Sequence, residues 1–244
     1  MNILCVIPSR IGSTRLKRKP LLPIQGKPMV QWVYENAKKC EVFSEVVVAT
    51  DSEEIAHVIR GCGGNVVMTD PHLPTGSDRV AAVAQQYPQS EVVVNLQGDE
   101  PFVKASMLET LVGPYLQGDL PPMTTLANEL LPSDSENPNI VKVITDLQHK
   151  ALYFSRTAIP FYRNTSVEKP LAHRHIGLYA FRREFLLKYT TLPQTPLEKA
   201  ESLEQLRALE HGYDIRVCLT HQRTLEINYE HELEAAQNFS FEEN

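Results

Sequence analysis

The chain has 244 residues, 42% hydrophobic and 22% charged, with 11 Gly and 17 Pro, a globular composition long enough for one large α/β domain or two small ones. Its longest apolar runs, such as 3–8 and 46–49, fall far short of the roughly 20 residues a spanning helix needs, and no leader-like segment precedes a cleavage site, so neither membrane insertion nor secretion is expected. Twenty-four Lys and Arg against 30 Asp and Glu give −6, yet residues 1–34 hold six basic side chains (Arg10, Arg15, Lys17, Arg18, Lys19 and Lys27) and no acid, which argues against a nucleic-acid coat and for either a small polyanion at one site or a solvated basic loop.

The first 130 residues alternate strand-like and helix-like segments. Residues 2–8 form a short apolar run, read as a buried strand. Segment 28–39 spaces Met29, Val30, Trp32, Val33 and Ala37 as a helix, with Lys38 and Lys39 in its last turn. A strand at 45–50 leads into a helix at 51–60, capped by Asp51 or Ser52 and stopped by the glycines of 61–64. Strands follow at 65–69 and 91–96, separated by a helix at 77–86. This rhythm predicts an α/β chain with a mostly parallel central sheet. Ligands of such sheets gather beyond the carboxyl ends of the strands, so the loops to read are 9–26, 50–53, 71–79 and 97–101.

The second half is less regular, with strands expected at 123–126, 141–145, 152–155, 176–181 and 215–219 and helices near 182–189, 197–211 and 229–238. Loops are expected at 132–138 and 162–170. No linker cuts the chain, so a single domain over 1–244 with an inserted β subregion is predicted. Cys5, Cys40, Cys62 and Cys218 are scattered without paired spacing, which points to neither a disulfide framework nor a zinc site and to a reducing, cytoplasmic location.

Two loops carry chemistry. The loop of Ser9-Arg10-Ile11-Gly12-Ser13-Thr14-Arg15-Leu16-Lys17-Arg18-Lys19-Pro20-Leu21 offers backbone N–H groups, hydroxyls and cations suited to a triphosphate, or is a solvated loop; it is not a Walker loop. Gln97-Gly98-Asp99-Glu100-Pro101 ends a strand, and its carboxylate is either a hard-oxygen ligand for Mg²⁺ or part of a polar turn.

These loops, together with Ala49-Thr50-Asp51, Ala151-Leu152-Tyr153-Phe154-Ser155-Arg156, His175-Ile176-Gly177-Leu178-Tyr179 and Leu203-Glu204-Gln205-Leu206-Arg207, closely resemble the 3-deoxy-manno-octulosonate (Kdo) cytidylyltransferase family, from residue 3 to about 236. The resemblance implies a Rossmann-like nucleotidyltransferase fold, a homodimer, and the joining of CTP and Kdo to CMP-Kdo and pyrophosphate with Mg²⁺, for lipopolysaccharide synthesis. It implies a nucleotide-binding half over about 1–130 and a sugar-binding and dimerisation half over about 131–244. Carried over by motif, Arg10, Ser13 and Lys19 hold the triphosphate, Arg79 lies by the cytidine, and Lys19 and Asp99 are catalytic, with Asp99 on the metal. Gln97, Arg156, His175, Glu204 and Gln205 match positions lining the sugar pocket. Read without the resemblance, His175 is a structural histidine and Glu204–Arg207 a helix-surface ion pair.

Two departures from the family pattern stand out. Lys17-Arg18-Lys19 replaces a Pro-Gly-Lys sequence, so Arg18 carries strain of about 1 kcal/mol if φ is positive there. Asn228 stands where the family has the second metal-binding Asp; its amide oxygen still coordinates but brings no charge, and Glu226 is a candidate substitute. The added charge of Lys17 and Arg18 is expected to offset that loss by gripping the nucleotide. The alternatives to Kdo transfer are a different acidic sugar, or a nucleotide-binding paralogue impaired by Asn228.

Overall fold

The computed structural model describes residues 1–12, 16–163 and 171–239. The chain divides into two compact units, Met1–Glu109 with Gln222–Asn244, and Thr110–His221.

In the first unit, β1 (Ile3–Ser9) leads through a 3₁₀ turn at Lys19–Leu21 and the small hairpin of β2 (Pro23–Ile24) and β3 (Lys27–Pro28) into α1 (Met29–Lys38). Then come β4 (Glu45–Thr50), α2 (Glu53–Gly61), β5 (Asn65–Met68), α3 (Gly76–Gln86) and β6 (Val92–Asn95). The strand order is β6-β1-β4-β5, every pair parallel. Ile3 to Ile7 and Val46 to Ala49 are buried, as expected of strands covered on both faces, where continuous β-branched runs replace alternation. Because the pairs are parallel, β1, β4 and β6 all deliver their carboxyl ends to one edge, where loops 9–26, 50–53 and 97–101 begin.

Helix α4 (Ala105–Leu116) carries the chain past residue 109. The sequence reading gave no helix here. Its apolar residues surround the axis instead of forming one stripe, and Gly113 and Pro114 read as breakers.

The second unit holds β7 (Met123–Glu129), β8 (Lys142–Thr145), β9 (Ala151–Ser155), β10 (His173–Arg182), α5 (Arg183–Tyr189), α6 (Pro196–Glu201), α7 (Leu206–Glu210) and β11 (Ile215–Leu219). β7 lies between antiparallel β10 and parallel β11, while β8 pairs antiparallel with both β10 and β9. The helix expected over 197–211 is two helices, broken where Ser202 turns left-handed (φ 53°, ψ 49°). The break is stabilised from within: Arg207 Nε donates to Glu198 Oε2 at 2.9 Å, both side chains buried, and Leu203 N reaches Glu198 O at 3.1 Å. Glu204 and Gln205 therefore sit in the corner between helices, not along a helix face.

The chain returns to the first unit through α8 (Glu230–Gln237). Ile227 and Ala236 are buried with Ile24, Met29 and Phe102, and Gln25 N donates to Gln237 Oε1 at 2.8 Å while Gln237 Nε2 donates to Pro23 O at 2.8 Å. These contacts fasten the C-terminal segment to the β2–β3 hairpin. Among the described residues no helix is long and apolar enough to cross a membrane.

Arg18 has φ 57° and ψ 31°, the left-handed conformation expected if glycine was needed there. Its guanidinium engages both carboxylate oxygens of Glu54, Nη1 to Oε1 at 3.2 Å. Arg18→Gly is expected to change unfolding free energy by no more than about 1 kcal/mol, because relief of strain offsets an exposed ion pair and the entropy of glycine. Arg18→Val, β-branched at positive φ, is expected to cost about 1–2 kcal/mol in the same denaturant titration.

Candidate active site

A cavity of about 330 Å³ lies in the first unit, lined by Pro8, Ser9 and Arg10 after β1, Lys19 and Pro20, the segment Leu73–Gly76 with Arg79, Gln97 to Asp99 after β6, and Asn228. Three of the four loops singled out from the sequence meet there. The fourth braces it: Asp51, after β4, accepts from Ile11 N at 3.3 Å and from Arg79 Nη2 at 3.4 Å. Arg79 also bonds Thr69 Oγ1 and is 3% exposed, so its guanidinium is fixed before any ligand arrives.

Lys19 is the centre of the charge arrangement. Its Nζ donates to Asp99 Oδ2 at 2.7 Å and to Asn228 Oδ1 at 3.0 Å. Three distant pieces of sequence thus meet at one ammonium. Ile227 N donates to Asp99 O at 3.1 Å, which ties the C-terminal segment to the strand-end loop and places Asn228 beside Asp99. Two oxygens converging on one cationic atom are a donor set that also suits a divalent cation, which typically takes one or two protein oxygens and completes its shell with phosphate oxygens and water.

Glu226 completes this corner. Asn228 Nδ2 donates to Glu226 Oε1 at 2.5 Å, and Glu232 Oε2 accepts from the backbone N–H of Asn228 at 2.6 Å and of Tyr229 at 2.9 Å. Desolvation, then the charge of Asp99, push the Glu226 carboxyl above its ordinary range.

Gly98 allows a close approach. A Cβ there would lie 3.0 Å from Pro8 O and 3.2 Å from Ser9 Oγ, so any larger residue would push the β6 loop and the end of β1 apart by a few tenths of an ångström. The N-terminus of α3, closed by a Thr75–Asp78 capping box, adds partial positive charge to the cavity edge.

Of the nucleotide-side residues expected from sequence, Arg10, Lys19, Arg79, Asp99 and Asn228 line this cavity, as does Gln97, expected on the sugar side. Gln97 Nε2 donates to Asn95 Oδ1 at 3.0 Å. Ser13 lies outside the described residues. Sequence reasoning passed over Ser9, 3% exposed, whose Oγ has no hydrogen-bond partner among the described residues. Its place at the end of β1 was the available signal.

Arg156, His175, Glu204 and Gln205 are in the second unit. Arg156 donates from Nε to Glu201 O at 2.8 Å, from Nη1 to Pro138 O at 3.0 Å and from Nη2 to Ser202 O at 3.4 Å. A guanidinium suits the unpaired carbonyls at the end of α6. Among the described residues three of its five N–H groups are bonded, leaving two without a described partner. Through Glu201 and Ser202, Arg156 is linked to the corner that presents Glu204 and Gln205. Gln205 is 3% exposed and its Nε2 has no hydrogen-bond partner among the described residues.

His175 sits where β10 bulges between Ile176 and Tyr179. The bulge brings Ile176 O and Leu178 O within 3.2 and 2.9 Å of Thr125 Oγ1, while His175 Nε2 lies 2.9 Å from the same oxygen. The hydroxyl spends its proton on a carbonyl, so Nε2 carries the imidazole proton and Nδ1 remains an acceptor. Desolvation pushes the imidazole pKa down from 6.5 to about 3. The folded state therefore resists protonation that the unfolded chain accepts near 6.5, and this group's stabilising contribution is lost as pH falls from about 6.5 toward 3. The His175 ring resonances are expected not to titrate between pH 8 and pH 5; a midpoint near 6.5 would contradict the assignment.

The cytidylyltransferase family profile matches residues 4–215. A 3-deoxy-manno-octulosonate cytidylyltransferase of Acaryochloris marina is 54% identical over 98% of this chain and 97% of its own, and one of Synechococcus elongatus is 47% identical over 97% of each. The solved structure of a CMP:2-keto-3-deoxy-manno-octonic acid synthetase complexed with CTP superposes with a TM-score of 0.93 at 37% identity, covering 98% of both chains. With its parallel sheet, strand-end cavity and full-length likeness, the chain belongs to the 3-deoxy-manno-octulosonate cytidylyltransferase family, which are nucleotidyltransferase enzymes of Rossmann-like fold.

Proposed function

We propose that the protein transfers CMP from CTP to Kdo, releasing pyrophosphate and forming CMP-Kdo for lipopolysaccharide synthesis. The observation that carries this is the meeting of Lys19, Asp99 and Asn228 at the mouth of a cation-lined strand-end cavity, in a chain 54% identical to a named Kdo cytidylyltransferase. A sugar hydroxyl attacks the α-phosphorus; the new O–P bond forms as the bond to the β-phosphate oxygen breaks, and the hydroxyl proton leaves to solvent. Such a displacement needs alignment and neutralisation of developing charge more than covalent catalysis.

Arg10, Ser13 and Lys19 hold the triphosphate, and the ammonium of Lys19 stabilises charge passing to the pyrophosphate. Arg79, fixed by Asp51 and Thr69, lies by the cytidine. Asp99 and Asn228 are the residues that would hold Mg²⁺. When bound, Mg²⁺ neutralises phosphate charge. On the sugar side, Gln97, Arg156, His175, Glu204 and Gln205 recognise a carboxylated polyol: the two remaining guanidinium N–H groups of Arg156 take the carboxylate, and His175 Nδ1 accepts from a hydroxyl. The nucleotide half is residues 1–130 and the sugar-binding half 131–244, where two chains join as a homodimer in the cytoplasm. Pyrophosphate release tests the reading: it is expected with CTP and Kdo and not with CTP and sialic acid. Equal rates with both sugars would overturn the assignment of the acceptor.

A further inference from the structure

Asn228 faces two opposite electrostatic demands, and its amide meets both in only one orientation. Toward Lys19 Nζ, at 3.0 Å, it must present an oxygen; toward Glu226 Oε1, at 2.5 Å, it must present an N–H donor. Flipping the amide would set an NH₂ group against an ammonium and a carbonyl oxygen against a carboxylate. The backbone at this residue is held as well, since Glu232 Oε2 accepts from the N–H groups of both Asn228 and Tyr229. Among the described residues no other hydrogen bond of the side chain selects between its two faces.

We propose that Glu226 is a positioning residue: it holds the Asn228 amide with Oδ1 turned toward Lys19 and Asp99, and the Asn228–Glu226 pair together does the work of one carboxylate. This rests on the proposed role of Asn228 in holding the metal. An asparagine alone brings no charge and has two faces. With a carboxylate on its N–H, the amide is both oriented and polarised, so its oxygen gains basicity. A partner behind a ligating group acts in this way at metal sites, and its removal typically costs 10–100-fold in affinity. The sequence alone offers Glu226 as a candidate substitute ligand; the hydrogen bond puts it one step behind Asn228.

The test is binding of Mn²⁺ in the presence of CTP and without Kdo, followed by electron paramagnetic resonance, so that turnover is not required. Glu226→Ala is expected to weaken Mn²⁺ binding about 10-fold. Glu226→Gln, whose amide oxygen still accepts from Asn228 Nδ2, is expected to fall between the two. In Asn228→Asp the carboxylate presents oxygen on either face, so adding Glu226→Ala to that variant is expected to leave Mn²⁺ affinity unchanged or improve it by removing a neighbouring charge. An unchanged affinity in Glu226→Ala, or an equal loss with and without Asn228→Asp, would overturn the positioning role while leaving the proposed reaction intact. Failure of the unaltered protein to bind Mn²⁺ with CTP would overturn the metal site, and this inference with it.

Discussion

Lys19→Met is expected to lower kcat with CTP and Kdo by about 1,000-fold, or ~4 kcal/mol of transition-state stabilisation, with a much smaller change in KM for Kdo. The side chain keeps its length and loses its charge. In the structure that charge is shared between Asp99 at 2.7 Å and Asn228 at 3.0 Å, with Glu226 directly behind Asn228. Removing it leaves the Asp99 carboxylate and the Asn228 amide oxygen converging on an apolar methyl, and removes the fixed cation proposed to meet the leaving pyrophosphate. Lys19→Arg is not expected to restore activity, because the planar fork of Arg cannot occupy the place of a compact ammonium between two oxygens about 3 Å away. Steady-state kinetics on the purified variants measures this directly, and a loss of less than 10-fold would place Lys19 outside the reaction.

The largest stability effect is expected at Lys142. This side chain is fully buried, 0% exposed, and its Nζ donates to Asn137 O at 2.9 Å, Ile140 O at 3.0 Å and Arg156 O at 2.6 Å. One ammonium thereby ties the 137–140 loop to the end of β9. Burial pushes its pKa down, against Glu136 and Glu201, whose charges push it up. Lys142→Met preserves volume but removes all three charged hydrogen bonds, leaving Asn137 O only its bond from Ile140 N at 3.1 Å. Charged hydrogen bonds contribute about 1.5–3 kcal/mol each and do not add, and the variant also escapes the cost of burying a charge. A net loss of about 2–4 kcal/mol is expected, which for a chain of this size lowers Tm by about 4–16 °C. Because Lys142 holds the carbonyl of Arg156, KM for Kdo is expected to rise while CTP affinity stays the same. A Tm within 2 °C of the unaltered protein would show that the loop is held by other contacts.

Much of the first unit was legible in the sequence because its signals are local. The β-branched runs at 3–8 and 45–50 read as strands since both faces are covered, and parallel pairing then dictated which loops share an edge. The glycine missing from the family loop raised a positive φ at Arg18 as a condition, which the fold meets. What could not be read is where long side chains end. Periodicity over 197–211 gave one helix, because the buried Arg207–Glu198 pair that stabilises the break at Ser202 is a tertiary contact between residues nine apart. Arg156 was expected to face a sugar; which backbone carbonyls come within its reach depends on the folded corner at Glu201 and Ser202. Lys142 looked like an ordinary strand residue. The hydrogen bond between Asn228 and Glu226 joins side chains two residues apart, close enough to suspect but with a direction only the fold supplies.

Lys19, Asp99 and Asn228 are proposed to form a working metal and triphosphate corner despite the missing carboxylate. Pyrophosphate release from CTP and Kdo, followed across a Mg²⁺ titration for the unaltered protein and for Asn228→Asp, tests it most directly. Turnover by both is expected, with half-maximal rate reached at lower Mg²⁺ in Asn228→Asp. No release by the unaltered protein at any Mg²⁺ concentration, with CTP binding intact, would contradict it.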